Sequence, residues 1–340
     1  MTDRGDAKRF GRSTLAFSGG VVALVALVVV AVSSGRYPLS MSRIAAGLLH
    51  GFSHDRAGTT AESVLWQIRL PRIALACLVG AGLSAAGAAF QHLFRNPLVA
   101  PDTLGVSSGA ALGAVAAIYA GAGAALAGAA AFGGGLATVA LVIALASRIP
   151  AQDRLLTLVL IGVVVASLMG AAVSLMKVVA DPYNQLPAIT FWLMGSFAAA
   201  AWDQVAAAGI AIVLALFVLA ALAWRIDLLA LPDDEARSLG VHASRLRAVV
   251  VAAATVATAT SVAVCGIIGW VGLVVPHMAR MVAGPGFSRM LPVAALFGAI
   301  FMLAIDTLAR TATPAELPPG VLTAFIGTPV FVALLARRSA

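Results

Sequence analysis

Long apolar stretches separated by short polar corners dominate this sequence. Asp, Glu, Lys and Arg are missing from seven stretches, which are 13–35, 73–94, 103–147, 155–176, 204–224, 248–279 and 317–336. A helix needs about 20 apolar residues to cross the hydrocarbon core of a bilayer. Most of these stretches therefore fit one crossing, and 103–147 must hold two. The pattern predicts an all-α polytopic membrane protein.

Glycine, proline and charged residues divide the apolar stretches into about ten transmembrane helices. Breaks are expected at "GAG" (121–123), "RIPAQDR" (148–154) and "VCGIIGWVG" (264–272). The predicted helices are 15–35, 72–93, 105–120, 123–147, 155–178, 204–224, 246–264, 269–281, 290–306 and 319–336. The eighth is too short to cross alone, so it is either a half-helix or an oblique one. We expect a cytoplasmic tail at 1–14 and one transmembrane domain at 15–340.

Composition supports a membrane protein and argues against several other classes. Of 340 residues, 61% are hydrophobic and 11% charged, and mean hydropathy is +1.01; soluble domains carry about 25% charged residues. The basic residues behind the net charge of +8 are scattered between helices, so no nucleic-acid partner is indicated. Cys77 and Cys265 lie in apolar stretches and give no disulfide or metal signal. The first apolar stretch is long for a signal peptide, so we expect it to remain as an uncleaved helix.

The distribution of basic residues predicts the orientation of the chain. Ten crossings place both termini on one side of the membrane. With the N-terminus inside, the inner segments carry 15 Lys or Arg residues and the outer segments 7, so the positive-inside rule favours N-in and C-in. Five arginines of the outer segment 36–72 run against this rule, and these are Arg36, Arg43, Arg56, Arg69 and Arg72.

The charged residues also suggest how transport would be powered. All fourteen Asp and Glu residues fall in predicted loops or at helix ends, whereas proton- and sodium-coupled carriers usually hold a carboxylate near the membrane midplane. The only lysines, Lys8 and Lys177, do not follow a glycine, so the Gly-Lys pair of a nucleotide-binding P-loop is missing. Energy from a partner protein is favoured. A secondary transporter is the alternative; an intramembrane enzyme would need catalytic patterns that the sequence does not contain.

The longest inner loop, 225–247, has the pattern of a short helix. Pro232 is followed by three acidic residues, which favour the positive end of a helix dipole, and Gly240 fits a helix C-terminus. Ala236 and Leu239, three residues apart, are expected to share an outward face. The loop is either a solvated connector or a lever for a cytoplasmic protein.

A second polar corner, "FRNPLVAPDTLGVSSGAALG" (94–113), interrupts the chain between the second and third predicted helices. Pro97 and Pro101 stop the preceding helix, and Asp102 or Thr103 is expected to cap the next. Three glycines spaced four apart form a smooth strip for close helix packing, and these are Gly105, Gly109 and Gly113. We interpret the corner as a packed cytoplasmic turn rather than a substrate contact.

Five motifs together carry a family resemblance. They are "RLPRIALACLVGAGLSAAGAAFQHLFRNPLVAPDTLGVSSGAALG" (69–113), "ITFWLMGSF" (189–197), "DEARSLGV" (234–241), "GIIGWVGLVVPHMAR" (266–280) and "ELPPGVLTAFIGTPVFVALL" (316–335). The chain resembles the FecCD-type permeases of type II ABC importers. The resemblance implies ten helices with an inverted repeat, a homodimer in the bacterial inner membrane, and a path between the two copies. It also implies two cytoplasmic ATPases, which use ATP and Mg, and a periplasmic substrate-binding protein.

The resemblance assigns roles to particular residues. The motif "DEARSLGV" matches the family's ATPase-coupling helix, which points to Glu235, Ala236, Arg237, Leu239 and Gly240. The outer arginines Arg69, Arg72 and Arg310 match positions that receive glutamates of the binding protein. Exposed charge pairs of this kind act mainly on orientation and association rate.

The translocation path and its substrate are less clear in the sequence. Small polar and flexible residues suited to a bulky ligand are Ser167, Met169, Ser174, Thr323 and Thr328. A ferric siderophore or haem is our first expectation, from the form of the "FWLMGSF" motif; cobalamin and molybdate importers of the same fold are the alternatives. His277 is interpreted as structural, and His50 with His54 lacks a third metal ligand. We therefore expect no metal or cofactor on this chain.

Overall fold

The computed structural model describes residues 3–35, 37–50, 59–150 and 153–336. Within these ranges the chain forms helices, turns and loops, and no strands. The α-helices are α1 (Asp3–Ser33), α2 (Met41–His50), α3 (Thr60–Ser63), α4 (Leu70–Leu93), α5 (Val106–Tyr119), α6 (Ala124–Ser147), α7 (Arg154–Val179), α8 (Gln185–Met194), α9 (Trp202–Ala221), α10 (Ala223–Leu228), α11 (Asp233–Ser238), α12 (Ala243–Cys265), α13 (Val271–Ala283), α14 (Phe287–Thr311) and α15 (Pro319–Ala336). A π-helical segment, Val64–Arg69, joins α3 to α4, and a 3₁₀ turn, Pro101–Leu104, precedes α5.

Helices of crossing length confirm the predicted membrane architecture. Seven are long and apolar enough to cross a membrane, and three more apolar helices, Val106–Tyr119, Val271–Ala283 and Pro319–Leu334, are shorter. Each of the ten predicted helices corresponds to one of these. Four short helices were not predicted, because ten residues or fewer leave no crossing-length signal, and these are α2, α3, α8 and α10. Also, α1 begins at Asp3, so most of the expected tail is helical.

The central helix of the fold is α4, which packs against α9, α12, α13 and α14. Two of its glycines allow backbone-to-backbone contact. A Cβ atom at Gly80 would lie 2.1 Å from the carbonyl oxygen of Gly298 on α14, and one at Gly87 would lie 1.8 Å from that of Gly272 on α13. Small residues at such crossings replace the hydrophobic driving force that is missing between helices in lipid. These contacts hold α4 as a rigid connection between the two ends of the molecule.

The predicted glycine strip packs α5 against α6. A Cβ atom at Gly109 would lie 2.0 Å from Oγ1 of Thr138, and one at Gly113 would lie 2.1 Å from the carbonyl oxygen of Ala130. The predicted cap, in contrast, is wrong. Gly105, with φ of +79°, is the N-cap residue of α5. Asp102 and Thr103 instead form part of the 3₁₀ turn, where Asp102 accepts a hydrogen bond from the hydroxyl of Ser107.

A break in regular structure separates α12 from α13. The chain leaves the helix at Gly266 and passes Trp270, which has φ of +71°, before α13 begins. With 13 residues, α13 is a half-helix, one of the two predicted possibilities. The N–H of Ser196 donates to the carbonyl oxygen of Cys265 at 2.7 Å, and Gly320 packs against the carbonyl oxygen of Ile267. Irregular backbone at membrane depth is tolerated where protein buries it, as α8 and α15 do here.

Candidate functional site

The short helix α11 is set off by well-formed ends. Pro232 occupies its N-cap position, and Leu239 its C-cap position. Beyond it, the N–H of Gly240 donates to the carbonyl oxygen of Arg237 at 2.9 Å, and the N–H of Val241 donates to that of Ala236 at 3.0 Å. These two hydrogen bonds, with φ of +79° at Gly240, form a Schellman motif. The loop 225–247 therefore contains the predicted helix and the predicted glycine terminus.

Only part of α11 is available to a partner protein. Glu235, Arg237 and Gly240 are exposed, and 54% of Leu239 is exposed. Ala236 is buried and belongs to the same hydrophobic cluster as Val241. The expectation that Ala236 and Leu239 share an outward face is therefore wrong. Leu239 lies past the last helical turn, where the backbone has already left helical geometry.

The segment that leads into α11 is fastened to two membrane-crossing helices. Oδ1 of Asp227 accepts the N–H of Phe287 at 2.5 Å and Oδ2 accepts that of Ser288 at 3.1 Å, which caps the N-terminus of α14. Arg95, just beyond α4, donates to the carbonyl oxygens of Leu229 and Leu231 at 2.5 and 2.9 Å. We call Asp227, Arg95 and residues 229–231 the inner joint.

The inner joint explains the polar corner after α4. Arg95 adopts φ of +50°, a left-handed conformation that is uncommon outside glycine. Its guanidinium bonds to backbone 134 and 136 residues further along the chain. The corner thus places the guanidinium group of Arg95 against the loop that leads into α11. This role was not predicted, although a charged residue in a helix-breaking corner was the signal for it.

The three outer arginines lie at the opposite end of α4 and are buried. Exposed fractions are 4% for Arg69, 8% for Arg72 and 8% for Arg310. Arg72 pairs with Asp306 at 2.8 Å and with Glu316 at 2.6 Å. We call these five side chains the arginine cluster. The expectation that these arginines present exposed charges is wrong; whether they receive a binding protein stays a prediction.

Two of these arginines satisfy the end of α1. Arg69 donates to the carbonyl oxygens of Val32 and Tyr37, and Arg310 to those of Ala31 and Ser34. The last four carbonyls of a helix lack partners within the helix, so side-chain donors stabilise them. These guanidinium groups are buried because they donate to carbonyl oxygens at the C-terminal end of α1.

Asp306 contradicts the expectation that all acidic residues lie in loops or at helix ends. It is fully buried, and α14 continues past it to Thr311, so it is not at a helix end. A buried carboxylate is costly unless it is paired. Here Arg72 binds it through two nitrogen atoms, and Nε of Arg310 lies 3.8 Å from it. The charge is neutralised inside the protein.

An open apolar groove of about 720 Å³ lies beside the helix break. Its lining residues are Leu193, Met194, Ile267, Gly269, Trp270, Gly320, Val321, Ala324, Phe325, Thr328 and Pro329. None of these side chains carries a charge. Thr328, a predicted path residue, lines the groove, while its hydroxyl donates to the carbonyl oxygen of Ala324 at 2.8 Å. Trp270 and Phe325, the largest groove residues, were not predicted.

The other predicted path residues do not meet in this groove. Thr323 is wholly buried and donates to the carbonyl oxygen of Gly320, so it lines no surface of this chain. Ser167 and Ser174 are exposed on α7, and each donates to its own helix backbone. Met169 is partly buried against the core. The structure thus separates the α7 residues from those on α15.

The described histidines and cysteines serve packing or lie as free thiols. His277 is buried and lies edge-on to Phe331, with ring centroids 6.4 Å apart. Cys77 and Cys265 are free thiols. Within the described ranges, no group of three or more His, Cys, Asp or Glu residues has the arrangement of a metal site. The side chain of His50, and His54, Arg36 and Arg56 lie outside what the structure describes.

The fold is that of a multi-pass membrane transport subunit. It has crossing-length helices, a helix break beside an apolar groove, and a short exposed helix at one end. The model of the FecCD transport family matches residues 23–337. The chain therefore belongs to the FecCD transport family. Members are membrane permeases, and ATP hydrolysis is carried by separate ATPase subunits.

Similar proteins differ in the cargo that their names give. The chain is 39% identical to the molybdate import system permease MolB of Haemophilus influenzae, over 94% of each chain. It is 39% identical to an iron chelatin transport system permease of Helicobacter pylori, over 93% of this chain and 96% of that one. A solved metal-chelate type ABC transporter in an inward-facing conformation is 38% identical, with a TM-score of 0.86, over 94% and 98%.

Proposed function

We propose that this chain is the permease subunit of an ATP-driven importer that moves a metal chelate from the periplasm to the cytoplasm. The observation that carries the proposal is α11. It is largely exposed, ends in a Schellman motif, and is fastened through the inner joint to α4 and α14. A push on α11 would therefore be transmitted to two crossing helices. The nucleotide-driven motion itself belongs to a partner ATPase, with ATP and Mg bound there.

The proposed transporter contains two copies of this chain in the bacterial inner membrane. Two ATPases would dock on α11, one for each copy, through Glu235, Arg237 and Leu239, with Ala236 and Gly240 shaping the helix. A periplasmic binding protein would deliver substrate at the opposite end. The apolar groove is open on one side, so a facing second copy would close it into a path with alternating access.

We propose a ferric siderophore or haem as the substrate. The groove offers apolar and aromatic side chains and one hydroxyl-bearing residue, Thr328, and no cation. Such a surface suits a bulky chelate with an organic shell that must be held weakly. An oxyanion such as molybdate would be expected to meet hydrogen-bond donors or a positive charge. Cobalamin and molybdate are the alternatives. Of these two, molybdate is favoured by the similarity to a molybdate permease.

The test is reconstitution of the chain in liposomes with candidate ATPases. ATP hydrolysis and uptake would be measured with binding proteins loaded with ferric siderophore, haem, cobalamin or molybdate. We expect stimulation by a siderophore- or haem-loaded protein. Stimulation by molybdate alone would overturn the substrate proposal and leave the importer standing.

The role of α11 has its own variant and control. The double substitution Glu235→Ala with Leu239→Ala is compared with Arg245→Ala, an exposed residue at the same end but outside α11. We expect the first to lose most ATPase binding and the second to keep it. Equal uptake by both variants would overturn the coupling role.

A further inference from the structure

A second cavity lies at the α11 end of the molecule and has no part in the transport path described above. Its volume is about 630 Å³. The C-terminus of α6 and the N-termini of α7 and α12 line it, together with Leu93 and Leu104. All three helices are of crossing length, so the cavity lies where membrane-spanning segments reach the membrane surface.

The mouth of this cavity is basic. Arg148, Arg154 and Arg247 line it together with Ser147 and Ser244, and no acidic residue does. Among the described residues, neither Arg148 nor Arg154 forms an ion pair. Three arginines and two serines thus line one space.

Asp153, the acidic residue next to Arg154 in the sequence, caps the N-terminus of α7. Oδ1 of Asp153 accepts the N–H groups of Leu155 and Leu156 at 2.9 and 3.1 Å, which caps α7. Its charge thus stabilises the start of the helix.

The wall of the cavity is apolar and runs toward the membrane interior. Ile143 lies just over one turn before Arg148 on α6, Leu158 one turn after Arg154 on α7, and Val251 one turn after Arg247 on α12. A basic mouth at the helix ends with an apolar wall one turn deeper matches the polarity of a phospholipid. Guanidinium groups bind phosphate oxygens through paired hydrogen bonds, and basic pockets between membrane helices attract anionic head groups.

We propose that this cavity binds an anionic phospholipid of the surrounding leaflet. The head-group phosphate lies among Arg148, Arg154 and Arg247, and an acyl chain follows the apolar wall. The lipid would fill the space between the ends of α6, α7 and α12, at the end of the molecule that carries α11. This site is independent of the cargo that the transporter carries.

The first experiment uses the purified, delipidated full chain in detergent. Binding of phosphatidylglycerol, phosphatidylcholine and inorganic phosphate is measured by native mass spectrometry and by the shift in thermal unfolding. We expect phosphatidylglycerol to bind at least about tenfold more tightly than phosphatidylcholine, since each basic residue near the head group contributes on the order of a fivefold gain. Equal binding of the two lipids would overturn the proposal. Displacement of the lipid by millimolar inorganic phosphate would show a free-phosphate site and would also overturn it.

The second experiment removes the charges. Arg148→Gln with Arg154→Gln is compared with Arg225→Gln with Arg245→Gln, a matched pair of exposed arginines at the same end and outside the cavity. We expect the first pair to lose about tenfold or more of the phosphatidylglycerol affinity, and the second pair to change little. Arg148→Lys with Arg154→Lys should keep most of the binding. An equal loss in both pairs would show non-specific attraction by net charge and would overturn the site.

Discussion

The two ends of α4 use arginine in opposite ways. In the arginine cluster, Arg72 pairs with acidic side chains from α14 and from the segment before α15, and almost nothing of it is exposed. At the inner joint, Arg95 is exposed and donates to two backbone carbonyls of a loop. About 36 Å of helix separates the two. The first arrangement fixes helices to one another, whereas the second fixes a loop to a helix and leaves α11 free for a partner.

This difference implies that the outer cluster contributes mainly to stability and the inner joint mainly to coupling. Side-chain pairs in a buried cluster leave uncompensated charge when one member is removed. Backbone acceptors at a surface loop can be taken over by water. Four substitutions test this division, in order of expected effect.

The largest effect is expected for Asp306→Asn. The substitution leaves Arg72 and Arg310 buried without their shared carboxylate, and breaking a buried pair in this way costs about 3–5 kcal/mol. The free energy of unfolding in mixed micelles is the measurement. Asp203→Asn, an exposed acidic residue at the same end, is the control and should change it little. Equal losses in the two variants would contradict a stabilising role for the cluster.

At the inner joint, Arg95→Gln should cost less stability and more function. It removes two charge-assisted hydrogen bonds at a partly exposed site, worth about 1.5 kcal/mol. We expect the ATPase to stay bound, while uptake per ATP hydrolysed falls because the push on α11 is no longer passed to α4. Arg225→Gln, at the same end, is the control. A loss of uptake fully explained by a lower amount of folded protein would argue against coupling.

Glycine offers a matched pair across the two ends. Gly240, after α11, and Gly121, between α5 and α6, have φ of +79° and +77°, and a Cβ atom at either would meet nothing within 4 Å. Alanine at each should cost about 1 kcal/mol, since both would be forced into left-handed geometry in open space. We expect only Gly240→Ala to lower ATPase stimulation. Equal loss of stimulation in both variants would show a general effect of strain.

The features that could be predicted from the sequence are those set by neighbouring residues. The ten helices followed from stretches without charge, because crossing length and hydropathy are properties of neighbouring residues. The glycines after α11 and along α5 were predictable for the same reason. The partners of Arg72 lie 234 and 244 residues away, and nothing in the pattern around "RLPR" indicates that they meet. The same holds for Asp227 and the start of α14, 60 residues apart. Ala236 was misplaced because its environment is set by tertiary packing rather than by helix periodicity.

The smallest effect on stability, and the sharpest test of docking, is expected for Glu316→Gln. Charge reversal at Arg69 or Arg72 cannot isolate docking, because these buried side chains also hold α1 and α14 in place. The side chain of Glu316 is 34% exposed, so losing its pair with Arg72 should cost less than about 1 kcal/mol.

Glu316→Gln removes the carboxylate charge at Nη1 of Arg72 and leaves a neutral amide acceptor, which an incoming carboxylate can displace. If a binding protein presents a glutamate to Arg72, its affinity for Glu316→Gln should rise, and more so at low salt, because the competing negative charge is gone. Affinity of the loaded binding protein would be measured on the reconstituted transporter at two salt concentrations, with Asp203→Asn as the matched loss of one negative charge. The same gain in both variants would reduce the effect to long-range electrostatics. No gain in either would mean that Arg72 does not receive the partner, and the arginine cluster would then be left with the stabilising role alone.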